Sequence, residues 1–119
     1  MKHIRLVEDR ETTRRMVEET LRRRDHDVCS AGTVAEGRAL LREREISLLL
    51  TDLQLPDGPG LQLLEQALEG DARLPVLVMS AFGTIQIAVE AIKGGAYDFI
   101  PKPFDNNHLA DLVDKALER

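Results

Sequence analysis

Five side chains carry acidic, hydroxyl or amine groups at positions that could support phosphoryl chemistry: Glu8, Asp9, Asp52, Ser80 and Lys102. Carboxylate oxygens suit Mg²⁺, which typically takes one or two carboxylates together with a phosphate. A carboxylate can also attack a phosphoryl group, while a metal ion and a lysine offset charge on the transferring oxygens. The set predicts a magnesium-dependent phosphoryl-transfer site if the fold brings its members together.

Strand and helix patterns alternate around these residues. Five short apolar runs have strand length: 4–7, 28–31, 47–50, 76–79 and 97–100. The middle run contains three consecutive leucines, as expected for a parallel strand covered by helices on both sides. Amphipathic segments lie between the runs, and the last helix places one apolar stripe at Leu109, Leu112, Val113, Ala116 and Leu117. This β-α pattern, repeated five times, predicts a parallel sheet with right-handed crossovers.

Helix ends are marked by characteristic residue types. Residues 33–36 fit a capping box from Thr33 to Glu36, and Asp105 is expected to cap the last helix. Gly94 and Gly95 predict a helix end before the fifth strand.

The five candidate residues fall at the carboxyl ends of predicted strands, where open α/β sheets bind ligands. Glu8 and Asp9 follow strand one, Asp52 follows strand three, Ser80 ends strand four and Lys102 follows strand five. Crowded carboxylates repel one another unless a cation lies among them. Each residue alone has an ordinary alternative, such as a solvated loop position or, for Asp9, a cap of the first helix. Their convergence on one edge favours the metal site.

Length and composition limit the function. The 119 residues fit one domain, and a formal net charge of −5 argues against nucleic-acid binding, which normally needs a basic face. The single cysteine, Cys29, allows no internal disulfide and suits a reducing cytoplasm. There is no signal-peptide pattern and no apolar run of about eighteen residues, so we expect a cytoplasmic protein without a membrane span.

Four segments resemble the motifs of CheY-like receiver domains of two-component response regulators, and the resemblance covers essentially the whole chain. Residues 6–9 resemble the acidic end of the first strand, and residues 50–58 the phosphoacceptor segment. Residues 79–81 match the Ser/Thr position, and residues 101–104 the Lys-Pro segment. The resemblance implies a receiver domain over residues 1–119. Its α/β fold would be the doubly wound, flavodoxin-like (βα)5 fold, with a five-stranded parallel sheet in the order 2-1-3-4-5 and helices on both faces.

The resemblance also implies the phosphoacceptor and the metal ligands. Asp52 would accept the phosphoryl group and contribute to the Mg²⁺ site. Asp9 would bind Mg²⁺ directly, and Glu8 would do so mainly through water. The backbone carbonyl of Gln54 would complete the protein ligands.

Phosphoryl binding and switching are implied for a second group of residues. Ser80 and Lys102 would hold the phosphoryl oxygens. Phe99 would be the aromatic switch residue that moves inward when Ser80 is drawn to the phosphoryl group. Pro103 would follow a cis peptide bond, which costs little before proline and would direct the lysine into the pocket.

A narrower resemblance concerns residues 55–61 and 95–105, which are similar to NtrC-like enhancer-binding transcriptional activators. In those regulators an ATPase domain and a DNA-binding domain follow the receiver, and we expect these output domains to be absent from this chain. The resemblance implies a sensor histidine kinase as partner, regulation of transcription, and a homodimer through the face of the fourth helix, fifth strand and fifth helix. We expect no direct DNA binding or membrane contact by this domain, and no enzyme activity beyond self-phosphorylation and self-hydrolysis.

Several residues depart from the family pattern or vary within it. Glu8 replaces the commoner aspartate, and Arg10 stands where the family often has another acid. Arg5 occupies a strand position that is usually apolar, where it would need a partner or a strand end from which to reach water. Gln54 and Phe82 lie at positions expected to tune the lifetime of the acyl phosphate.

Other functions fit less well. A haloacid-dehalogenase-type phosphohydrolase needs a second aspartate two residues after the first, where this chain has Gln54. The glycines of residues 58–60 follow the wrong strand for a dinucleotide site and favour a turn. The alternative that stays open is a degenerate receiver that is not phosphorylated and acts only as a protein-interaction module, because Arg5 and Arg10 depart from the pattern.

Overall fold

The computed structural model describes residues 1–43, 45–81 and 85–118, in which strands and helices alternate. In chain order the elements are β1 His3–Val7, α1 Glu11–Arg22, β2 Asp27–Ala31, α2 Val34–Leu41, β3 Leu48–Asp52, β4 Gln54–Leu55, β5 Gly58–Pro59, α3 Leu61–Gly70, β6 Val76–Ser80, α4 Ile85–Lys93, β7 Asp98–Pro101 and α5 Asn106–Leu117. None of the helices in these ranges is long and apolar enough to cross a membrane.

The main sheet has five parallel strands in the order β2-β1-β3-β6-β7. Because β4 and β5 form only a separate two-residue antiparallel ladder, this is the order 2-1-3-4-5 of the five predicted strands. Every residue of β3 and β6 is buried, as expected for central parallel strands covered on both faces. The predicted doubly wound fold is confirmed.

Helices cover both faces of the sheet, and each face has its own apolar core. One core joins the sheet to α1 and α5 through Ile4, Leu6, Val17, Leu21, Val28, Leu48, Leu50, Leu77, Met79, Ile100, Leu109, Val113 and Ala116. The other joins it to α2, α3 and α4 and includes Val7, Val34, Leu49, Leu63, Leu64, Val76, Val78 and Ala88. Alternate side chains of β1 therefore face opposite cores, which fixes the register in which its acidic end leaves the sheet.

The predicted caps are present. Thr33 Oγ1 accepts a hydrogen bond from the backbone N–H of Glu36, at 3.1 Å, at the start of α2. The Asp105 carboxylate accepts one from the N–H of Asn107, at 2.7 Å, at the start of α5. Gly95 follows α4 with a φ of 113°, a conformation that favours glycine.

One alternative and one expectation about element ends are wrong. The alternative in which Asp9 caps α1 does not hold, because the N-cap residue is Arg10, which makes no side-chain capping bond. The third strand continues through Thr51 to Asp52 instead of ending at residue 50. Pairing of Thr51 with Val78 and of Asp52 with Met79 keeps the polar end in the sheet.

Arg5 is buried in the middle of β1, so the expectation of a strand-end side chain reaching water is wrong. It pairs in the sheet with Cys29 and Leu49 and is only 5% exposed. Its Nη2 donates to Glu43 Oε2 at 3.0 Å, while its Nε and Nη1 have no hydrogen-bond partner in the described part of the chain. A buried charge needs a partner of opposite charge, and Glu43 supplies it. The pair uses only one of the three guanidinium nitrogens.

Candidate functional site

The structure brings the predicted side chains to one edge of the sheet. Glu8 and Asp9 follow β1, Asp52 ends β3, Ser80 ends β6 and Lys102 follows β7. These strands are neighbours in the sheet and run in the same direction, so their carboxyl ends lie side by side.

The three carboxylates form a compact cluster but differ in how far they are buried. Glu8 is fully buried, Asp52 is 6% exposed and Asp9 is exposed. One oxygen from each lies within 4.8 Å of the others. A donor set made only of carboxylate oxygens fits a hard cation such as Mg²⁺.

Lys102 connects two of these carboxylates. Its Nζ lies 2.7 Å from Asp52 Oδ2 and also donates a hydrogen bond to Glu8 Oε1. The backbone N–H of Lys102 donates to the carbonyl of Ser80 at 2.7 Å, and the Lys102–Pro103 bond is cis. The lysine is therefore fixed both through its backbone and through its amine.

Burial and hydrogen bonding act in opposite directions on these ionisable groups. Burial raises the pKa of Glu8, and its hydrogen bonds with Lys102 and the backbone N–H of Arg10 offset this only in part. Burial alone would lower the pKa of Lys102, but hydrogen bonds to Asp52 and Glu8 outweigh it and raise that pKa. Lys102 thus stays a cation beside carboxylates that would otherwise repel one another.

The loop after β3 folds back onto Asp52. The backbone N–H of Gln54 donates to Asp52 Oδ1 at 3.1 Å, and the N–H of Gly60 donates to the carbonyl of Leu53 at 2.8 Å. A Cβ at position 60 would overlap the carbonyl oxygen of Asp52, so only glycine fits there. Both side-chain oxygens of Asp52 therefore have fixed donors, one from the loop and one from Lys102.

Ser80 contributes a hydroxyl without an evident structural role. The residue is 1% exposed, and its Oγ has no hydrogen-bond partner among the described residues. A buried hydroxyl that bonds no described residue is free to bond a water or a ligand in the site.

The comparisons with known proteins agree with this geometry. Residues 4–114 match the model of the response regulator receiver domain family. The chain belongs to this family.

The receiver domain is similar in amino-acid sequence to NtrC-like regulators. It is 40% identical over 112 residues to response regulator protein PilR of Pseudomonas aeruginosa, covering 94% of this chain and 25% of PilR. It is 30% identical over 117 residues to transcriptional regulatory protein GlrR of Escherichia coli, covering 98% of this chain and 26% of GlrR. The chain thus spans about a quarter of the length of these curated relatives.

Solved receiver domains share the whole fold. The receiver domain of NtrX from Brucella abortus matches with a TM-score of 0.90 and 34% identity, covering 97% of this chain and 98% of that one. The non-phosphorylated HemR receiver domain from Leptospira biflexa matches with a TM-score of 0.92 and 31% identity, covering 100% and 96%. This chain is a two-component receiver domain related to NtrC-like transcriptional regulators.

Two predicted residues, Phe99 and Phe82, are aromatic. Phe99 of the receiver domain is half-buried and packs against the core beneath α2, α3 and α4. Its role as a switch residue stays a prediction. Phe82 lies outside the described residues.

Sequence reasoning named Arg10 beside the receiver site but missed its neighbours on α1, Thr13 and Met16. An open cavity of about 540 Å³ adjoins Asp52, and its lining residues are Asp9, Arg10, Thr13, Met16, Asp52, Gln54, Ala81, Lys102, Pro103 and Phe104. Residues 10, 13 and 16 lie three apart at the start of α1 and therefore share one helix face. Their spacing indicates a shared helix face, but the face mixes polar and apolar residues and so does not indicate a cavity lining.

The role of Arg14 was also missed by sequence reasoning. Its Nη1 donates to the backbone carbonyl of Glu8 at 3.0 Å, so α1 holds the turn that carries the acidic pair. Nothing in the arginine-rich segment of α1 distinguishes this arginine from its exposed neighbours.

Proposed function

We propose that this receiver domain accepts a phosphoryl group on Asp52, from a sensor histidine kinase, in a reaction that depends on Mg²⁺. The observation that carries the proposal is the ion pair between Lys102 Nζ and Asp52 Oδ2, at 2.7 Å, within a cluster of three carboxylates. An aspartate nucleophile, acidic metal ligands and a cation for the phosphoryl oxygens are the parts that such a transfer requires.

The oxygen donors support a specific arrangement of metal ligands. Asp9 and Asp52 would bind Mg²⁺ directly, together with the backbone carbonyl of Gln54. Glu8 is buried and already bound to Lys102, so it would act mainly through water. When bound, Mg²⁺ would offset negative charge on the phosphoryl oxygens.

The residues of the site have distinct tasks in the proposed transfer. A carboxylate oxygen of Asp52 attacks phosphorus, and an O–P bond forms as the P–N bond of the phosphohistidine breaks. The imidazole leaves with the bonding electron pair, and the nitrogen that carried phosphorus takes a proton from solvent. Lys102 moves its hydrogen bond from Asp52 to a phosphoryl oxygen. Ser80 Oγ, which has no partner among the described residues, donates to another phosphoryl oxygen.

The response to phosphorylation would pass from Ser80 to Phe99 and then to the face formed by α4, β7 and α5. On α4, the apolar side chains of Ile85, Val89 and Ile92 are 53%, 41% and 39% exposed. Exposed apolar groups of this kind support a homodimer through this face. Output domains joined to the receiver would carry the signal to transcription.

The domain would act as a signalling module in the cytoplasm and not as a turnover enzyme. Its only catalysis would be self-phosphorylation and slow hydrolysis of the acyl phosphate. The side chains at positions 54 and 82, Gln54 and Phe82, would set how fast water reaches that bond.

Intact-mass measurement after incubation with acetyl phosphate and Mg²⁺ tests the proposal. We expect one added phosphoryl group, which is lost when EDTA replaces Mg²⁺ and in the variant Asp52→Asn. A folded sample that gains nothing from acetyl phosphate or from a phosphorylated histidine kinase would contradict the proposal and favour the protein-interaction module.

A further inference from the structure

The loop that follows Asp52 is attached to α2 through one carboxylate. The two oxygens of Asp57 accept hydrogen bonds from the backbone N–H groups of Val34 and Ala35, at 2.7 and 3.0 Å. These partners lie 23 and 22 positions earlier in the chain. The contact therefore joins two separate parts of the fold.

These bonds complete the N-terminus of α2. Thr33 Oγ1 accepts a hydrogen bond from the N–H of Glu36. The first three N–H groups of α2, which have no partner inside the helix, therefore all have an acceptor. Two of the three depend on Asp57. The same two bonds lower the pKa of Asp57, so its carboxylate stays ionised near neutral pH.

Helix α2 is a firm support for the loop. Val34 is buried in the core beneath α2 and α3. A Cβ at Gly37 would meet the side chains of Leu63 and Val7 at about 3 Å, so the helix lies close against both neighbours. A loop tip bound to this end of α2 is held relative to the sheet and not only to itself.

The other described contacts of this loop lie on either side of its tip: Leu55 packs against the core, and the N–H of Gly60 donates to the carbonyl of Leu53. Gln54 and Leu55 pair with Pro59 and Gly58 in a two-residue ladder. Gly58 has a φ of 154°, a backbone conformation that favours glycine. The side chain of Asp57 is exposed, so no packing of its own fixes the tip.

We propose that Asp57 is a positioning residue for the metal site: by binding the loop tip to α2, it holds the backbone of Gln54 in place beside Asp52. This inference rests on the proposed function, in which the Gln54 carbonyl is a ligand of Mg²⁺. The N–H of the same residue already donates to Asp52 Oδ1. A shift of the loop would therefore disturb a metal ligand and the phosphoacceptor together.

The test compares Asp57→Ala and Asp57→Asn with Thr33→Ala, which removes a bond at the same helix end without touching the loop. Mg²⁺ alone is titrated into ¹⁵N-labelled protein, and the dissociation constant is read from NMR shifts. We expect Asp57→Ala to weaken Mg²⁺ binding about tenfold, a typical effect of losing a group that orients a ligand. Asp57→Asn keeps an acceptor oxygen and should restore part of the affinity, while Thr33→Ala should bind Mg²⁺ like the wild type.

Phosphorylation by acetyl phosphate gives a second readout. In Asp57→Ala the Mg²⁺ concentration for half-maximal rate should rise by the same factor. Wild-type affinity in both Asp57 variants would overturn the inference and leave Asp57 as a helix cap. If Asp57→Ala does not fold, Asp57→Asn decides by the same criterion. A wild-type protein that binds no Mg²⁺ would instead remove the proposed function, and the inference with it.

Discussion

The amine of Lys102 lies 2.7 Å from the carboxylate of Asp52, although fifty positions separate the two residues in the chain. The same amine also donates a hydrogen bond to the carboxylate of Glu8. Lys102 and a bound Mg²⁺ would be attracted by the same carboxylates, so each weakens the binding of the other.

The variant Lys102→Met tests that competition. We expect the metal-free protein to lose about 1–3 kcal/mol of unfolding free energy, because the buried carboxylates of Glu8 and Asp52 lose the cation that they share. Mg²⁺ affinity should rise, while phosphorylation by acetyl phosphate should slow. Urea unfolding in EDTA, Mg²⁺ titration and the phosphorylation rate measure the three effects. Lys93→Met, at an exposed position on α4, is the control. Identical behaviour of the two variants would contradict the competition.

Ser80→Ala should leave the stability of the unphosphorylated domain unchanged or raise it by up to about 1 kcal/mol, because the Ser80 hydroxyl has no partner among the described residues. Thr51→Ala is the comparison, since Thr51 Oγ1 donates to the carbonyl of Asp52 at 3.0 Å. That variant should lose about 1–2 kcal/mol. Phosphorylated Ser80→Ala should lack the NMR shift changes near Phe99 that the wild type shows. A large stability loss in Ser80→Ala would indicate a structural hydroxyl instead.

Two glycine substitutions should have opposite effects. Gly60→Ala places a Cβ on the carbonyl oxygen of Asp52, so it should cost at least about 3 kcal/mol and impair phosphorylation. Gly70→Ala, at the end of α3, meets nothing within 4 Å and should stabilise by about 0.5–1 kcal/mol. Thermal unfolding of both variants measures the contrast. A neutral Gly60→Ala would mean that the loop does not press on Asp52.

Asp114 gives a pH-dependent prediction. Burial alone would raise its pKa, but hydrogen bonds with His26 and Arg24 outweigh it and lower the pKa below the ordinary 3.8. A carboxyl with a lowered pKa adds stability that is present above pH 3.8 and is lost as the pH falls through the folded value. Asp114→Asn should therefore lose up to about 1 kcal/mol at neutral pH, and the difference from wild type should shrink in acid.

Urea unfolding of the wild type and Asp114→Asn, from about pH 7 downward, measures this difference. Asp111→Asn is the control, because Asp111 also pairs with Arg24 but is 71% exposed. It should lose less stability than Asp114→Asn. A difference for Asp114→Asn that grows in acid would contradict the assigned direction of the pKa.

The sequence predicts much of the fold and the core of the site for a physical reason. Leu48 to Leu50 is apolar on both faces, which indicates a central parallel strand. Once five β-α units are recognised, the parallel sheet places every strand's carboxyl end on one edge. The closeness of Glu8, Asp9, Asp52 and Lys102 then follows from strand order and not from their separation in the chain.

Contacts between polar loop residues were not predictable in the same way. Asp57 is a residue type that is common in turns, and nothing in the neighbouring sequence indicates a contact with Val34 and Ala35. Arg5 likewise pairs with Glu43 only because folding brings the segment after α2 close to β1. Thr51 and Asp52 were not recognised as the last residues of β3 because they are polar. Backbone pairing with β6, and not apolar character, keeps them in the sheet.

In the proposed reaction, Asp52 carries the phosphoryl group as an acyl phosphate. Borohydride reduces an acyl phosphate to an alcohol, so reduction after phosphorylation converts the modified aspartate to homoserine. Peptide mass mapping of the reduced protein should find homoserine at position 52 and nowhere else. Homoserine at Asp9 or at another carboxylate, or a phosphorylated protein that yields none, would contradict the account.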